Sequence, residues 1–223
     1  MVTQPIVSAV CFDMDGLIFN TEDLYDEVLE ILLNRRGQSF SLELKLKIMG
    51  LPGPEAFEKL RQDCGLDDSA ETLQQETDEI FETLLPEKIQ TMPGLETLME
   101  RIEAAGLPKA IATSSHRKFA VRSLGIFDLE PRFEFILTAA DVERGKPHPD
   151  IYLEAARRLE RPVNEMLVLE DSLHGSTAAA SAGALTIAVP GLHSQGQDFS
   201  HVFHVARQLD DPFILSLIPS PNG

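Results

Sequence analysis

Ile6-Val7-Ser8-Ala9-Val10-Cys11-Phe12-Asp13-Met14-Asp15-Gly16 is the stretch that decides the architecture of this chain. Ile6 to Phe12 is short, mostly apolar and rich in β-branched residues, as a strand buried on both faces must be, and it stops at two acids. Past Gly16 the period changes. Thr21 is a candidate N-cap followed by Glu22 and Asp23, and Leu24, Val28, Ile31 and Leu32 recur at helical spacing until Gly37. Further helices are expected from Leu42 to Met49, from Pro54 to Cys64, and along the stripe Leu73, Thr77, Ile80 and Leu84, with no strand between Thr21 and Met92.

After Pro93-Gly94 the character changes again. Strands are expected over 109–113, 135–137, 166–169 and 185–189, separated by helices over 95–105, from after Thr113 to Leu124, 149–159 and 175–182. Such alternation builds right-handed βαβ units around a parallel sheet. The expected fold class is therefore α/β, a Rossmann-like parallel-sheet core formed by 1–18 and 93–223, with a helical domain, 19–92, inserted after the first strand.

The bulk composition narrows the partners. Of 223 residues, 43% are hydrophobic and 25% charged, the balance of a globular protein with a sizeable core. The net charge is −17, from 36 acidic and 19 basic residues, so nucleic acid and anionic membranes are repelled. A small phosphate ester is not excluded, because a local lysine, a metal and backbone amides reverse the sign inside a pocket. Cys11 and Cys64 are too few for a disulfide framework. No basic start leads into a long apolar run, so a cytoplasmic protein is expected. No extra hydrophobic face points to an oligomer, and a monomer is expected.

In open parallel sheets, ligands bind at the carboxyl ends of strands. Three expected strands end in polar residues: Asp13 and Asp15 after the first, Thr113, Ser114 and Ser115 after the second, Glu170 and Asp171 after a later one. Asp171 by itself is equally an ordinary loop acid or helix cap. Together the sets bring four carboxylates to one rim, where they repel one another unless a cation lies among them. An all-oxygen donor set with a phosphate oxygen suits magnesium. Lys146, in Gly145-Lys146-Pro147-His148-Pro149, sits on a stiffened turn ahead of a helix, as a point charge for phosphate would.

Asp13-Met14-Asp15-Gly16-Leu17-Ile18, Thr113, Lys146 and Glu170-Asp171-Ser172, in this order, resemble the four signature motifs of the haloacid dehalogenase superfamily. The helical insert resembles the family's cap domain. Met49-Gly50, Met92-Pro93-Gly94 and Ala112-Thr113-Ser114-Ser115 look like the β-phosphoglucomutase branch, which includes sugar-phosphate phosphatases and pseudouridine-5′-phosphatase. The resemblance implies a magnesium-dependent phosphatase acting on a small phosphomonoester (a sugar, polyol or nucleoside phosphate) through an aspartyl-phosphate. Asp13 is implied as nucleophile, Asp15 as general acid and base, and Thr113 and Lys146 as holders of the phosphoryl oxygens. Magnesium is implied on Asp13, the Asp15 carbonyl, Asp171 and Glu170. Substrate contacts are expected from Ser114, Ser115, Asn20 and Gly50, with a small phosphorylated metabolite as the partner.

Three positions depart from the family pattern. Asn20 stands where an aspartate is usual, and reads as a turn or capping residue. Tyr25 and Gly53 stand where the mutase has a cap histidine and a cap arginine, which favours hydrolysis over the alternative, a β-phosphoglucomutase-type phosphomutase.

Overall fold

The structure, a computed structural model, describes residues 5–48, 51 and 53–219. Six strands, β1 Ala9–Phe12, β2 Lys109–Ala112, β3 Ile136–Leu137, β4 Met166–Glu170, β5 Leu185–Ala188 and β6 His204–Val205, pair in the order β3-β2-β1-β4-β5-β6. Every pairing is parallel. β1 lies between β2 and β4, so the chain builds outward on one side of β1 and then crosses to the other. That reversal is the switch point at which parallel sheets open a crevice.

The expected first strand begins later than its apolar run suggests. Pairing starts where Ala9 meets Met166 and Val10 meets Lys109, and Ser8 only donates to Glu165 O at 2.9 Å. Strand residues are buried on both faces. Ala9, Cys11, Ala110, Ala112 and Val168 share one face, covered by α7 (Asp150–Leu159) and α8 (Leu173–Ala182). α7 presents Ile151, Tyr152, Ala155, Ala156 and Leu159, and α8 presents Ala178, Ala179 and Ala182, whose small side chains let its backbone approach closely. The other helices on this unit are α5 (Leu95–Ala104), α6 (Arg117–Ile126) and α9 (Pro212–Leu217). Neither α9 nor β6 was expected from the sequence.

Thr21–Ile89 forms a compact unit of its own, and the rest of the described chain another. The helical unit holds α1 (Thr21–Asn34), α2 (Leu42–Ile48), α3 (Gly53–Cys64) and α4 (Ala70–Lys88), with no strand among its described residues. Its interior is Leu24, Val28, Leu32, Leu60, Leu73, Phe81 and Leu85. Arg36 ties the ends of this unit's helices together through Asp68 at 2.9 Å and Glu76 at 2.5 Å.

Thr21 is the first residue of α1 rather than its cap. Asn20 precedes it, but its side-chain Oδ1 accepts from Gln90 N at 2.7 Å while Asn20 N donates to Gln90 O at 3.1 Å. With Met92 N bonded to Ile18 O at 2.8 Å, residues 18–20 and 90–92 run as a short hydrogen-bonded ribbon.

Candidate active site

The carboxyl ends of β1, β2 and β4 are neighbours, and the polar residues that follow them meet there. Asp13 leaves β1 with its amide bonded to Leu169 O at 3.0 Å, which holds it level with the end of β4. The chain then turns tightly: Gly16 N donates to Phe19 O and Ile18 N to Met14 O, each at 2.9 Å. Gly16 adopts φ +76°, and a Cβ there would lie 2.4 Å from Asp171 Oδ2. Glycine is therefore required twice over, by the backbone and by the acid beside it.

Lys146 reaches this rim from the turn before α7, across a cis Lys146-Pro147 bond. Its Nζ donates to Asp13 Oδ1, to Ala112 O at 2.9 Å and to Glu170 Oε1 at 2.7 Å. Both Lys146 and Glu170 are buried. The same Oε1 accepts from the Tyr152 hydroxyl at 2.5 Å, and Oε2 accepts from Ser172 Oγ at 3.1 Å. Glu170 fits closely under α8, where a Cβ on Gly175 would come within 1.8 Å of Oε1.

Asp15 has a different setting. Its Oδ2 accepts from Thr113 Oγ1 at 3.0 Å and from Ser115 Oγ at 2.7 Å, and Ser115 N in turn donates to Thr113 Oγ1 at 3.0 Å. The two aspartates thus face different partners, a lysine for Asp13 and two hydroxyls for Asp15.

Burial shifts the titration of this group. It pushes the Asp13 carboxyl well above its ordinary range; Lys146 pulls the other way, and Glu170 and Asp15 add to the rise. Burial alone would lower the Lys146 ammonium, but Asp13 and Glu170 outweigh it and hold it above its ordinary value. Burial, with Glu170 second, keeps the Tyr152 phenol protonated. Burial likewise pushes up the thiol of Cys11, fully buried two residues before Asp13.

Asp13, Glu170 and Asp171 offer carboxylate oxygens that all lie within 4.8 Å of one another, and all three residues are buried. These hard oxygen donors could hold a hard divalent cation.

Of the remaining expected residues, Ser114 is exposed at the end of β2. Asn20 has its side-chain oxygen committed to Gln90, as a turn residue would. Gly50, and Met49 beside it, lie outside the described residues. Tyr25 packs its ring on Phe81 at 4.6 Å within the helical unit, and Gly53 opens α3.

Sequence reading missed Tyr152 and Gly175. Tyr152 lies on the buried face of α7 with Ile151, Ala155, Ala156 and Leu159, a place that by spacing gives it no distinguishing signal. The available signal was that a buried tyrosine hydroxyl needs a partner, and a carboxylate was the unfilled acceptor.

The sequence profile of the haloacid dehalogenase-like hydrolases matches residues 10–189. This chain belongs to that family. The (DL)-glycerol-3-phosphatase 2 of Arabidopsis thaliana is 34% identical to it over 220 residues, spanning 95% of this chain and 88% of that relative. The bifunctional riboflavin kinase/FMN phosphatase of Arabidopsis thaliana is 31% identical over 209 residues, 93% of this chain, and the chain spans only 55% of that relative's length. A Thermotoga maritima protein assigned as a β-phosphoglucomutase superposes with a TM-score of 0.81 at 28% identity, over 95% of this chain and 98% of that one. Membership makes this protein a family hydrolase with the expected α/β core. No helix among the described residues is long and apolar enough to cross a membrane.

Proposed function

We propose that this protein is a magnesium-dependent phosphatase of a small phosphomonoester, working through an aspartyl-phosphate. The observation that carries the reading is the division of labour between two aspartates on one turn. Asp13 lies against Lys146 and the acidic group, and Asp15 against the hydroxyls of Thr113 and Ser115.

Asp13 attacks phosphorus through a carboxylate oxygen, and the bond from phosphorus to the leaving alcohol breaks. Asp15 gives its proton to that alcohol's oxygen. It then takes a proton from water as the water oxygen attacks the phosphoryl group, the Asp13–phosphorus bond breaks, and inorganic phosphate leaves. Lys146 and Thr113, with the amides after β2, hold the phosphoryl oxygens while charge builds on them. Asp13, Asp171, Glu170 and the Asp15 carbonyl would hold magnesium, which, when bound, supplies positive charge beside the phosphoryl oxygens and favours the ionised form of Asp13.

The relatives support a small substrate: glycerol phosphate for one, flavin mononucleotide for another. Sugar, polyol and nucleoside phosphates are the classes we put forward, with Ser114, Ser115, Asn20 and Gly50 as contacts. A second reading, a β-phosphoglucomutase-type phosphomutase, is favoured by the Thermotoga likeness. Gly53, where the resemblance to the mutase branch implies an arginine, offers no side chain for a second phosphate. The domain reading, a cap of 19–92 on a core of 1–18 and 93–223, belongs to the same proposal, as do a cytoplasmic monomer and no nucleic-acid or membrane partner.

The test is phosphate release from a panel of these esters, with magnesium and with chelator, beside Asp13→Asn. Magnesium-dependent release that the variant loses is expected. Isomer formation outrunning release would transfer the assignment to the mutase, and release that survives in Asp13→Asn would remove the mechanism.

A further inference from the structure

Three protein oxygens accept from the Lys146 ammonium. An ammonium has three protons, and Asp13 Oδ1, Ala112 O and Glu170 Oε1 take one each. Its aim is therefore set by those three acceptors. One is a backbone oxygen, Ala112 O in β2, and two are carboxylate oxygens, on Asp13 just past β1 and on Glu170 at the end of β4. The Glu170 side chain is fully buried, and its position depends on what else it binds.

Tyr152 binds it. The phenol hydroxyl donates to the same Glu170 oxygen that accepts from Lys146, at 2.5 Å, and the face of its ring lies 5.2 Å from Lys146 Nζ. One fully buried side chain thus meets the ammonium twice, directly through its π-face and indirectly through the carboxylate. Phenylalanine would fill the same space and keep the ring, so the hydroxyl adds one thing, a second donor on Glu170 Oε1. Without it that oxygen has Lys146 as its single donor. The attraction between the buried pair then draws Nζ towards Glu170 and away from Asp13.

We infer that Tyr152 is a positioning residue that holds Lys146 on the Asp13 side of the site, by sharing Glu170 Oε1 with it and supporting its ammonium on the ring. The inference rests on the phosphatase reading, in which the charge of the Lys146 ammonium, held beside Asp13, stabilises the phosphoryl oxygens.

The full chain is compared as wild type, Tyr152→Phe, Lys146→Ala and the double variant. kcat/KM is measured for p-nitrophenyl phosphate with magnesium, and binding of inorganic phosphate by calorimetry. A lost hydrogen bond to a charged group corresponds to roughly tenfold or more. Tyr152→Phe should therefore lower kcat/KM and phosphate affinity by roughly tenfold in a variant that circular dichroism shows to be folded at the assay temperature. On the Lys146→Ala background the same substitution should change neither, because the group it acts through is gone. A structural role would weaken binding equally on both backgrounds, and that result overturns the inference, as does a Tyr152→Phe enzyme with wild-type values. Should the wild type turn over no ester at all, the phosphatase reading falls while the phosphate-binding cycle still decides the role of Tyr152.

Discussion

Ser115 Oγ lies 2.7 Å from Asp15 Oδ2, though 100 residues of chain separate them. The Thr113 hydroxyl is 3.0 Å from the same oxygen, so the end of β2 grips the second acid of β1. In the proposed mechanism Asp15 is the general acid, and two donors on Oδ2 fix the direction its carboxyl faces. Ser115→Ala should lower kcat by roughly tenfold, and adding Thr113→Val should lower it further. Steady-state kinetics of the two variants check this. Unchanged kcat in both would mean that the hydroxyls do not orient Asp15.

Gly175 supports Glu170 by having no side chain. Its absent Cβ would meet the carboxylate at 1.8 Å, and the carboxylate is packed on its other side by Tyr152 and Lys146. Gly175→Ala should destabilise the fold by about 1–3 kcal/mol, the usual cost of overpacking, and weaken magnesium binding. Thermal melts with and without magnesium read both. A variant whose melting point and magnesium shift match wild type would show that Glu170 moves aside freely.

Glu160 ends α7 with φ 55° and ψ 42°, in the left-handed region that costs a residue with a Cβ. Glu160→Gly should raise stability by about 0.5–1 kcal/mol, less whatever the freer unfolded chain takes back. Chemical denaturation gives the value, and a loss of stability would mean that the glutamate side chain contributes more than its backbone costs.

Arg36 holds Asp68 and Glu76 below their ordinary carboxyl values, mainly through direct hydrogen bonds. Groups depressed in the folded state contribute stability above their unfolded values, 3.8 and 4.5, and lose it as pH falls through the folded ones. Removing Arg36 should therefore lower the melting temperature most above about pH 5 and least below about pH 3. Arg36→Met should also be more damaging than Arg35→Met, because the Arg35 side chain is 55% exposed and that of Arg36 only 15%. Melting curves across this range decide the matter, and equal losses at every pH would assign the effect to packing.

The rim was legible in the sequence because interior parallel strands are unbroken apolar runs, so the acids and hydroxyls at their ends stand out. β1, β2 and β4 each stop at the residues that the structure brings together. Elements too short to show a period were invisible. β6 is two residues long with a partly exposed pair, and α9 is a six-residue helix starting at Pro212 in a proline-bearing tail. Helix ends slipped where a cap was used otherwise: Asn20 precedes α1, but its oxygen answers Gln90, a residue far along the chain. Tyr152 was hidden for a related reason. Its period marks it as core, which it is, and only the sheet's register reveals that the core at that point is the underside of the site.

The ribbon of Ile18–Asn20 and Gln90–Met92 has an evolutionary reading. The two cut points of the helical unit are hydrogen-bonded to each other, so the chain leaves the sheet's unit and returns to it at adjoining positions. A recombination event that exchanges Thr21–Ile89 for another segment, longer or shorter, meets matched ends.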